Sequence, residues 1–221
     1  MRPTIAIGDV HGLTYWKKIV KKHPKHQIVF LGDYLDPYDE LSYKHLIKNL
    51  SEIIALKKAR PTDVVLLLGN HDLHYFSSKI EQSWRYDYDL SPQAEKIFLT
   101  NRELFQFAYQ EENCVFTHAG VTQKWFMEIF KGDATRNIAD QLNAPKSEQE
   151  STLYTCGESR GGFDEVGGIF WAGIEELFEP LVGYTQVVGH NRVQEVKEHT
   201  NKGGRIIFCD CLFNKGYLNI E

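Results

Sequence analysis

The feature of this sequence that most constrains its fold is a series of short apolar runs, most of which are followed by glycine and then a polar side chain. The first three runs, residues 4–7, 28–31 and 64–68, are rich in β-branched residues. Between them, residues 13–23 and 42–59 place apolar side chains at helical spacing. This alternation predicts an α/β fold built on a largely parallel sheet. Such sheets bind ligands at the carboxyl ends of their strands.

The rest of the chain also predicts alternating helices and strands, and its sequence shows no internal repeat and no second domain. We predict helices over residues 91–110, 121–130 and 134–142, strands over residues 114–117 and 185–188, and a hairpin joining residues 205–209 to 217–220. Ser91 is the expected N-cap of the first of these helices. Residues 145–168 are polar and glycine-rich, and loops of this length are often functional. We therefore expect a single domain over residues 1–221, with loop 145–168 as a candidate lid.

Composition excludes several classes of function. The 221-residue chain has a formal net charge of -5, whereas dedicated nucleic-acid binders usually carry a basic surplus, so we expect no nucleic-acid partner. The first apolar run is too short for a signal peptide and no run could span a bilayer, so the cytoplasm is the expected location and no membrane association is expected. The four cysteines form no Cys-x-x-Cys pair, and we expect free thiols that are buried or half-buried.

Five short motifs that follow strand-like runs carry side chains able to hold metal ions. They read GDVHG at 8–12, GDYLD at 32–36, GNHD at 69–72, THAG at 117–120 and GHN at 189–191. Their carboxylate, amide and imidazole groups suit Mn²⁺, Fe or Zn²⁺ better than Ca²⁺. One such residue alone is more typical of a turn or a helix cap. Five groups at strand ends indicate a metal site.

In their order and their residue sequence, these motifs resemble those of the calcineurin-like metallophosphoesterase superfamily. The match is closest to the phosphoprotein phosphatase branch and its bacterial relatives, and it spans residues 9–190. The resemblance implies a two-sheet β sandwich flanked by helices, with a dinuclear metal centre at the strand ends. We expect two divalent cations as cofactors, with Mn²⁺ favoured and Fe or Zn²⁺ as alternatives.

The resemblance also implies the metal ligands. Asp9 and His11 would hold the first ion, and Asp33 would bridge both ions. The second ion would be completed by Asn70, His118 and His190. Two cations that share a carboxylate can lower the pKa of a shared water and neutralise the phosphoryl oxygens, with Asn70 assisting.

Two further roles follow from the resemblance, together with one departure from the family pattern. His71 would donate a proton to the leaving group, and Asp36 would orient His71 and favour its charged form. Phosphoprotein phosphatases usually carry an arginine where this chain has Pro37. We predict that Arg160 supplies the missing phosphate-binding guanidinium, with Arg192 as the alternative. Arg192 also stands where the nuclease and phosphodiesterase branches carry a second histidine, which favours a phosphatase.

The expected function is therefore metal-dependent hydrolysis of phosphomonoesters, with phosphorylated serine, threonine or tyrosine side chains of proteins as the favoured substrates. Two alternatives stay open. A dinucleoside polyphosphate hydrolase, acting on diadenosine tetraphosphate or a similar substrate, would use the same metal centre on a phosphoanhydride. A non-catalytic, partner-binding member of the fold would have little reason to keep the full ligand set.

Some aromatic and histidine side chains near the predicted site have no assigned role. The aromatic residues are Tyr34, Tyr38, Tyr75, Trp84, Tyr86 and Tyr88. They could stack on a base or a phosphotyrosine ring, although ordinary packing is favoured. His74 is expected to be a packed histidine rather than a ligand.

Overall fold

The computed structural model describes residues 2–77 and 85–221. The first of its two sheets contains the strands β1 (Thr4–Ile7), β2 (Gln27–Phe30), β3 (Val64–Leu67), β4 (Phe105–Gln106) and β10 (Leu218–Ile220). Their spatial order is β10-β1-β2-β3-β4. The strands β1 to β4 are parallel, and β10 runs antiparallel to β1 at one edge.

The second sheet contains the strands β5 (Ala108–Glu111), β6 (Cys114–Thr117), β7 (Thr185–Arg192), β8 (Lys197–Asn201) and β9 (Gly204–Asp210). Their order is β5-β6-β7-β9-β8. Its central strands β6, β7 and β9 are parallel, and both edge strands are antiparallel to their neighbours. The two sheets confirm the predicted α/β sandwich, in which each sheet is mixed rather than purely parallel.

Six α-helices of the described chain are α1 (Trp16–Lys22), α2 (Tyr43–Ala59), α3 (Asn70–Phe76), α4 (Ser91–Thr100), α5 (Ile138–Asn143) and α6 (Ser147–Glu150). The first two form the crossovers between β1, β2 and β3, as predicted. α2 begins after Ser42, whose side chain accepts a hydrogen bond from the His45 amide and caps the helix. Within the described ranges, the helices are all too short or too polar to cross a lipid bilayer.

The two sheets pack face to face around an apolar layer. From the first sheet this layer takes Ala6, Val29, Leu31, Val65 and Leu67. From the second it takes Phe116, Val187, Ile207 and Cys209. The alternate residues of β1 to β3 belong to a larger cluster that includes the apolar stripe of α2. Because successive strand residues point to opposite sides, the central strands are buried on both faces.

The predicted helix over residues 91–110 is wrong in its second half. α4 ends at Thr100, where the Asn101 side-chain amide donates to the carbonyl of Ile97 at 2.8 Å. The chain then enters β4 and β5, which pair with β3 and β6. Ser91 is also not the N-cap, since it is the first helical residue and Leu90 precedes it as the cap. Sheet pairing, which is non-local, overrides the local helical pattern here.

The predicted hairpin at the end of the chain is wrong as well. β9 pairs with β8, and β10 crosses to the edge of the first sheet beside β1. β8 reads Lys-Glu-His-Thr-Asn. It is an exposed edge strand without an apolar face, so hydrophobic periodicity does not indicate it. All four cysteines are free thiols, as expected.

Three more segments differ in detail from their predictions. The helix predicted over residues 121–130 is a single π-helical turn, Trp125–Ile129, and the one over residues 134–142 starts only at Ile138. Loop 145–168 contains α6 and two 3₁₀ turns, Ser151–Tyr154 and Glu158–Arg160. It is therefore more structured than its composition suggests.

Candidate metal centre and active site

The five motifs meet at one end of the seam between the two sheets. Asp9 and Asp33 follow β1 and β2, and Asn70 opens α3 directly after β3. From the second sheet, His118 follows β6 and His190 lies within β7. The carboxyl ends of the parallel strands thus converge from both sheets, and the predicted ligands converge with them.

The backbone turns of the first two motifs hold each other in place. The amides of Val10 and His11 both donate to the carbonyl of Asp33, at 3.0 and 2.7 Å. His11 and Asp33 adopt left-handed conformations, with φ of 42° and 52°. At Gly32, where φ is 107°, a Cβ atom would lie 2.3 Å from the amide nitrogen of Gly69. Only glycine allows the second and third motifs to approach this closely.

The first candidate metal cluster consists of Asp9, His11 and Asp33. One ligand atom from each lies within 4.8 Å of the others. His11 Nε2 is 3.7 Å from an Asp33 carboxylate oxygen and 3.9 Å from an Asp9 oxygen. All three side chains are buried. One cation placed among them could contact all three.

The second candidate cluster consists of Asp33, His118 and His190, so Asp33 belongs to both clusters. His118 Nε2 is 3.5 Å from an Asp33 oxygen. The Asn70 amide oxygen lies 2.8 Å from His118 Nε2 and 2.9 Å from His190 Nδ1. A carboxylate shared between two ligand groups is the arrangement that a dinuclear centre requires.

The imidazole rings of the two clusters are held in the neutral form that could bind a cation. The carbonyls of Leu35 and Leu31 lie 2.7 Å from Nδ1 of His11 and His118. Each Nδ1 therefore donates, which leaves the Nε2 lone pair to face the cluster. Burial lowers the pKa of His11 and His118 to about 3, and it also lowers the pKa of His190. Among the described residues, His190 Nε2 has no hydrogen-bond partner.

The carboxylates of the centre are crowded and short of positive charge. Burial raises the pKa of Asp9 well above its ordinary value, and repulsion from Asp210 and Asp33 adds to the shift. Burial likewise raises the pKa of Asp33, with repulsion from Asp72 next in size. Divalent cations would offset this clustering of negative charge. The donor set and its electrostatics therefore fit two divalent cations.

A hydrogen-bonded network lies beside the clusters and centres on Asp36. His71 Nδ1 is 2.9 Å from one Asp36 oxygen, and the Tyr75 hydroxyl donates to the other at 2.7 Å. His74 Nε2 is 3.1 Å from the first of these oxygens. Burial alone would raise the pKa of Asp36, but His71 and His74 outweigh it and hold the pKa at about 2. Asp36 is thus an ionised carboxylate that fixes the orientation of His71.

Asp72 supports the centre from behind without belonging to either cluster. Its carboxylate accepts hydrogen bonds from three backbone amides, those of Asp33 at 2.7 Å, Tyr34 at 2.9 Å and Gly69 at 2.8 Å. The side chain is fully buried. Burial raises its pKa to about 7, although the three amides act in the opposite direction. Asp72 therefore ties the turn after β2 to the start of α3.

We expect Asp72→Ala to lower the free energy of unfolding by roughly 3 kcal/mol. Each buried amide left without a partner costs about 1–3 kcal/mol, and relief from burying a carboxylate offsets part of that sum. Urea unfolding in the presence of a chelator would measure the effect. Asp140→Ala, at an exposed position of α5, is the matched control. A loss below about 1 kcal/mol would contradict the bracing role.

The two predicted phosphate-binding arginines reach the edge of the centre from different sides. The Arg160 guanidinium donates to the Asn191 side-chain oxygen at 2.5 Å, next to His190. Its charge contributes to the lowered pKa of His190 and of His118. Arg192 instead lies on the side of the first cluster, in a cleft that also contains Asp9 and His11.

The aromatic residues singled out by the sequence have separate roles. Tyr34 is buried and donates to the carbonyl of Leu67, so it packs rather than faces a ligand. Tyr75 and Tyr86 stack on each other behind Asp36. Tyr38 lies at the site, with its ring 4.9 Å from that of His11. Tyr88 is exposed, and Trp84 lies outside the described residues.

Sequence reasoning missed several residues that the structure places at the site. Asp210 ends β9, and its negative charge helps to raise the pKa of Asp9. It follows an apolar run, as the five motifs do, so the same signal could have found it. His74, expected to be a packed histidine, also contacts Asp36. Arg85 stacks on Tyr38, and no local sequence signal marks it.

A metal-dependent phosphoester hydrolase needs two metal-binding clusters that share a carboxylate, with a His–Asp pair beside them. This site has both, at the ends of parallel strands. The chain belongs to the calcineurin-like phosphoesterase family, whose model matches residues 2–199. It is therefore a phosphoric ester hydrolase. No curated protein sequence matches the chain significantly.

Solved structures with the same fold are distant in sequence. The cold-active protein-tyrosine phosphatase of a psychrophilic Shewanella species is 16% identical with a TM-score of 0.60, and the match covers 100% of this chain and 76% of that one. A point mutant of a cold-active protein tyrosine phosphatase is 15% identical with a TM-score of 0.59, and the shares covered are the same. At these identities the likeness establishes the shared fold.

Proposed function

We propose that this protein hydrolyses phosphomonoesters at a centre of two divalent cations. The observation that carries the proposal is the position of Asp33, which belongs to both metal clusters. The His71 ring lies 5.4 Å from the ring of His11, which puts the candidate proton donor next to the first cluster. Candidate metal ligands and a candidate acid–base group thus lie together, which supports in-line phosphoryl transfer.

Each predicted ligand has a place in this scheme. Asp9 and His11 would hold one cation, and Asp33 would bridge to the other. The second cation would be completed by Asn70, His118 and His190. When bound, the cations supply an activated water as nucleophile and neutralise charge on the phosphoryl oxygens. Nitrogen and oxygen ligands of this kind suit Mn²⁺ first, with Fe or Zn²⁺ as alternatives.

His71 would complete the reaction as the general acid. Because its Nδ1 is directed at Asp36, the proton would leave from Nε2 toward the departing oxygen. The ionised Asp36 carboxylate lies 2.9 Å from His71 Nδ1 and holds the ring in a fixed orientation. Tyr75 and His74 hold Asp36 in turn, so the donor is oriented by a buried network.

The phosphate group itself would be bound by Asn70 and by arginine. Arg160 is the first candidate, because its guanidinium lies against Asn191, the residue after His190. Arg192 is the second candidate, on the side of the first cluster. The motif order typical of phosphoprotein phosphatases supports phosphorylated serine, threonine or tyrosine side chains as the substrate class.

Stripping metal with a chelator should abolish phosphate release from a generic aryl phosphate, and adding Mn²⁺ should restore it by at least roughly a hundredfold.

A substrate panel under the same conditions would then compare phosphoserine, phosphothreonine and phosphotyrosine peptides with diadenosine tetraphosphate. Cleavage of the peptides supports the phosphatase. Cleavage of the tetraphosphate alone would replace it with the dinucleoside polyphosphate hydrolase. A protein that cleaves neither class and fails to bind stoichiometric metal would revive the partner-binding alternative.

A further inference from the structure

Arg160, the first candidate for binding the substrate phosphate, is exposed, yet its guanidinium is anchored. One of its N–H groups donates to the side-chain oxygen of Asn191 at 2.5 Å. A guanidinium carries several N–H groups in one plane, so this contact leaves others for an oxyanion. A long side chain that is already held loses less conformational freedom on binding a ligand than one that is free in solvent. The residues that hold Arg160 therefore affect how well it can bind phosphate.

Asn191 is the rigid end of this anchor. Its side chain is 2% exposed, and it directly follows the candidate ligand His190 in β7. The side-chain nitrogen of Asn191 donates to the carbonyl of Ala172 at 3.0 Å, and its oxygen accepts from the Ile174 amide at 2.9 Å. Because both ends of the side-chain amide are bonded, the oxygen that faces Arg160 is fixed in place. Asn191 thus sets the position of the guanidinium relative to the second metal cluster.

Glu176 holds the backbone of the turn that carries Arg160. One oxygen of its half-buried carboxylate accepts from the hydroxyl and the amide of Ser159, at 2.5 and 3.3 Å. The other oxygen accepts from the amides of Gly167 and Gly173, at 2.8 and 3.2 Å. The carboxylate therefore ties the turn to the stretch of chain between these two glycines.

The turn itself is closed and lies directly against Glu176. The Arg160 amide donates to the carbonyl of Gly157, and the Glu158 amide donates to the carbonyl of Asp164, both at 3.0 Å. A Cβ atom at Gly157 would lie 2.0 Å from a carboxylate oxygen of Glu176, so only glycine allows this approach. The backbone of Arg160 is thus held as firmly as its guanidinium.

We propose that Glu176 and Asn191 are positioning residues, which hold the Arg160 guanidinium where it binds the substrate phosphate. Glu176 acts on the backbone of the turn and Asn191 acts on the guanidinium, so neither needs to touch the substrate. Both contact the same short stretch, residues 172–174, and therefore form one connected support. This inference rests on the proposed function, because phosphate binding by Arg160 is part of it.

A double-mutant cycle tests the positioning role, with inorganic phosphate as an inhibitor of aryl phosphate hydrolysis in the presence of Mn²⁺. Arg160→Met should raise the inhibition constant about tenfold, since one charge-assisted hydrogen bond is worth about this factor. Glu176→Ala and Asn191→Ala should each raise it about three- to tenfold, with a parallel rise in KM. In the Arg160→Met protein, either substitution should change the constant by less than about twofold, because the arginine that it positions is gone.

Controls separate positioning from a general loss of structure. Glu175→Ala, at the exposed neighbouring position, removes the same charge and should leave the inhibition constant unchanged. Ser159→Ala removes the hydroxyl contact with Glu176 and should raise the constant about twofold, which keeps the test open if Glu176→Ala does not fold. Metal content is measured on each variant, because Asn191 adjoins His190. A purely structural role would lower stability to urea equally with and without Arg160, and it would not produce the non-additive inhibition.

The outcomes are distinct. Equal effects of Glu176→Ala and Asn191→Ala with and without Arg160 would overturn the inference, and so would unchanged inhibition constants in both single variants. If Arg160→Met itself has no effect, the inference fails while hydrolysis at the metal centre stands, with Arg192 as the remaining phosphate-binding candidate. Absence of Mn²⁺-dependent hydrolysis in the unsubstituted protein would instead refute the proposed function, and the inference with it.

Discussion

Replacing Asp33 with asparagine should reduce hydrolysis of an aryl phosphate by on the order of a thousandfold or more. Among the described residues, its carboxylate is the group common to both metal clusters, and its loss removes a ligand from each. Two-metal stabilisation of the transition state is worth several kcal/mol, and about 1.4 kcal/mol corresponds to a factor of ten in rate. Metal content, measured on the same sample, should fall below two ions per chain.

Asparagine is an informative substitution here because it keeps the shape of the side chain. One Asp33 oxygen accepts a hydrogen bond from the His71 amide at 2.9 Å, and the asparagine carbonyl can keep this contact. A folded variant without activity would therefore report on the charge and not on the turn. Asp140→Asn is the matched control. Activity within about tenfold of the wild type would mean that Asp33 does not bridge two cations.

Replacing His71 with asparagine should slow hydrolysis by about 10²- to 10⁴-fold while both metal ions remain bound. His71 belongs to neither metal cluster, so its loss removes proton donation without removing a ligand. The defect should depend on the leaving group. Aryl phosphates whose phenols are strong acids need little protonation and should lose the least, and alkyl phosphates should lose the most.

A series of aryl phosphates with graded leaving-group acidity measures this dependence. In the wild type, kcat should change little along the series, and in the variant it should fall steeply as the leaving group becomes more basic. Tyr75→Phe, which removes one hydrogen bond to Asp36, should give a milder version of the same slope. A uniform loss across the series would show that His71 binds substrate and does not donate the proton.

Much of the candidate site was predictable because its residues follow strands in the sequence. Asp9, Asp33, Asn70 and His118 each come directly after an apolar run, and parallel strands carry such residues to one edge. The structure places all of them, together with His190, at the same seam. Their assignment to particular metal ions and to catalytic roles stays a prediction until the variants are measured.

The parts that the sequence did not predict depend on contacts between distant segments. Residues 101–111 carry a helical pattern, yet they form β4 and β5 because β3 and β6 offer open edges. Arg85 reaches Tyr38 from the segment before α4, and Asp72 meets the amides after β2 across 39 positions of sequence. Periodicity reports on neighbours along the chain. Hydrophobic periodicity therefore does not report on pairs of residues that are distant in the sequence.

Metal ions bound at the seam between the two sheets would have a second effect. Asp9, Asp33 and Asn70 come from the first sheet, and His118 and His190 come from the second. A cation held by both sets ties the two halves of the sandwich together, as a covalent cross-link would. An ion that binds only when the two sheets are packed together stabilises the folded state. The gain in free energy grows with the logarithm of the free ion concentration. The availability of metal in the cell would then set the fraction of the protein that is folded as well as its rate of catalysis.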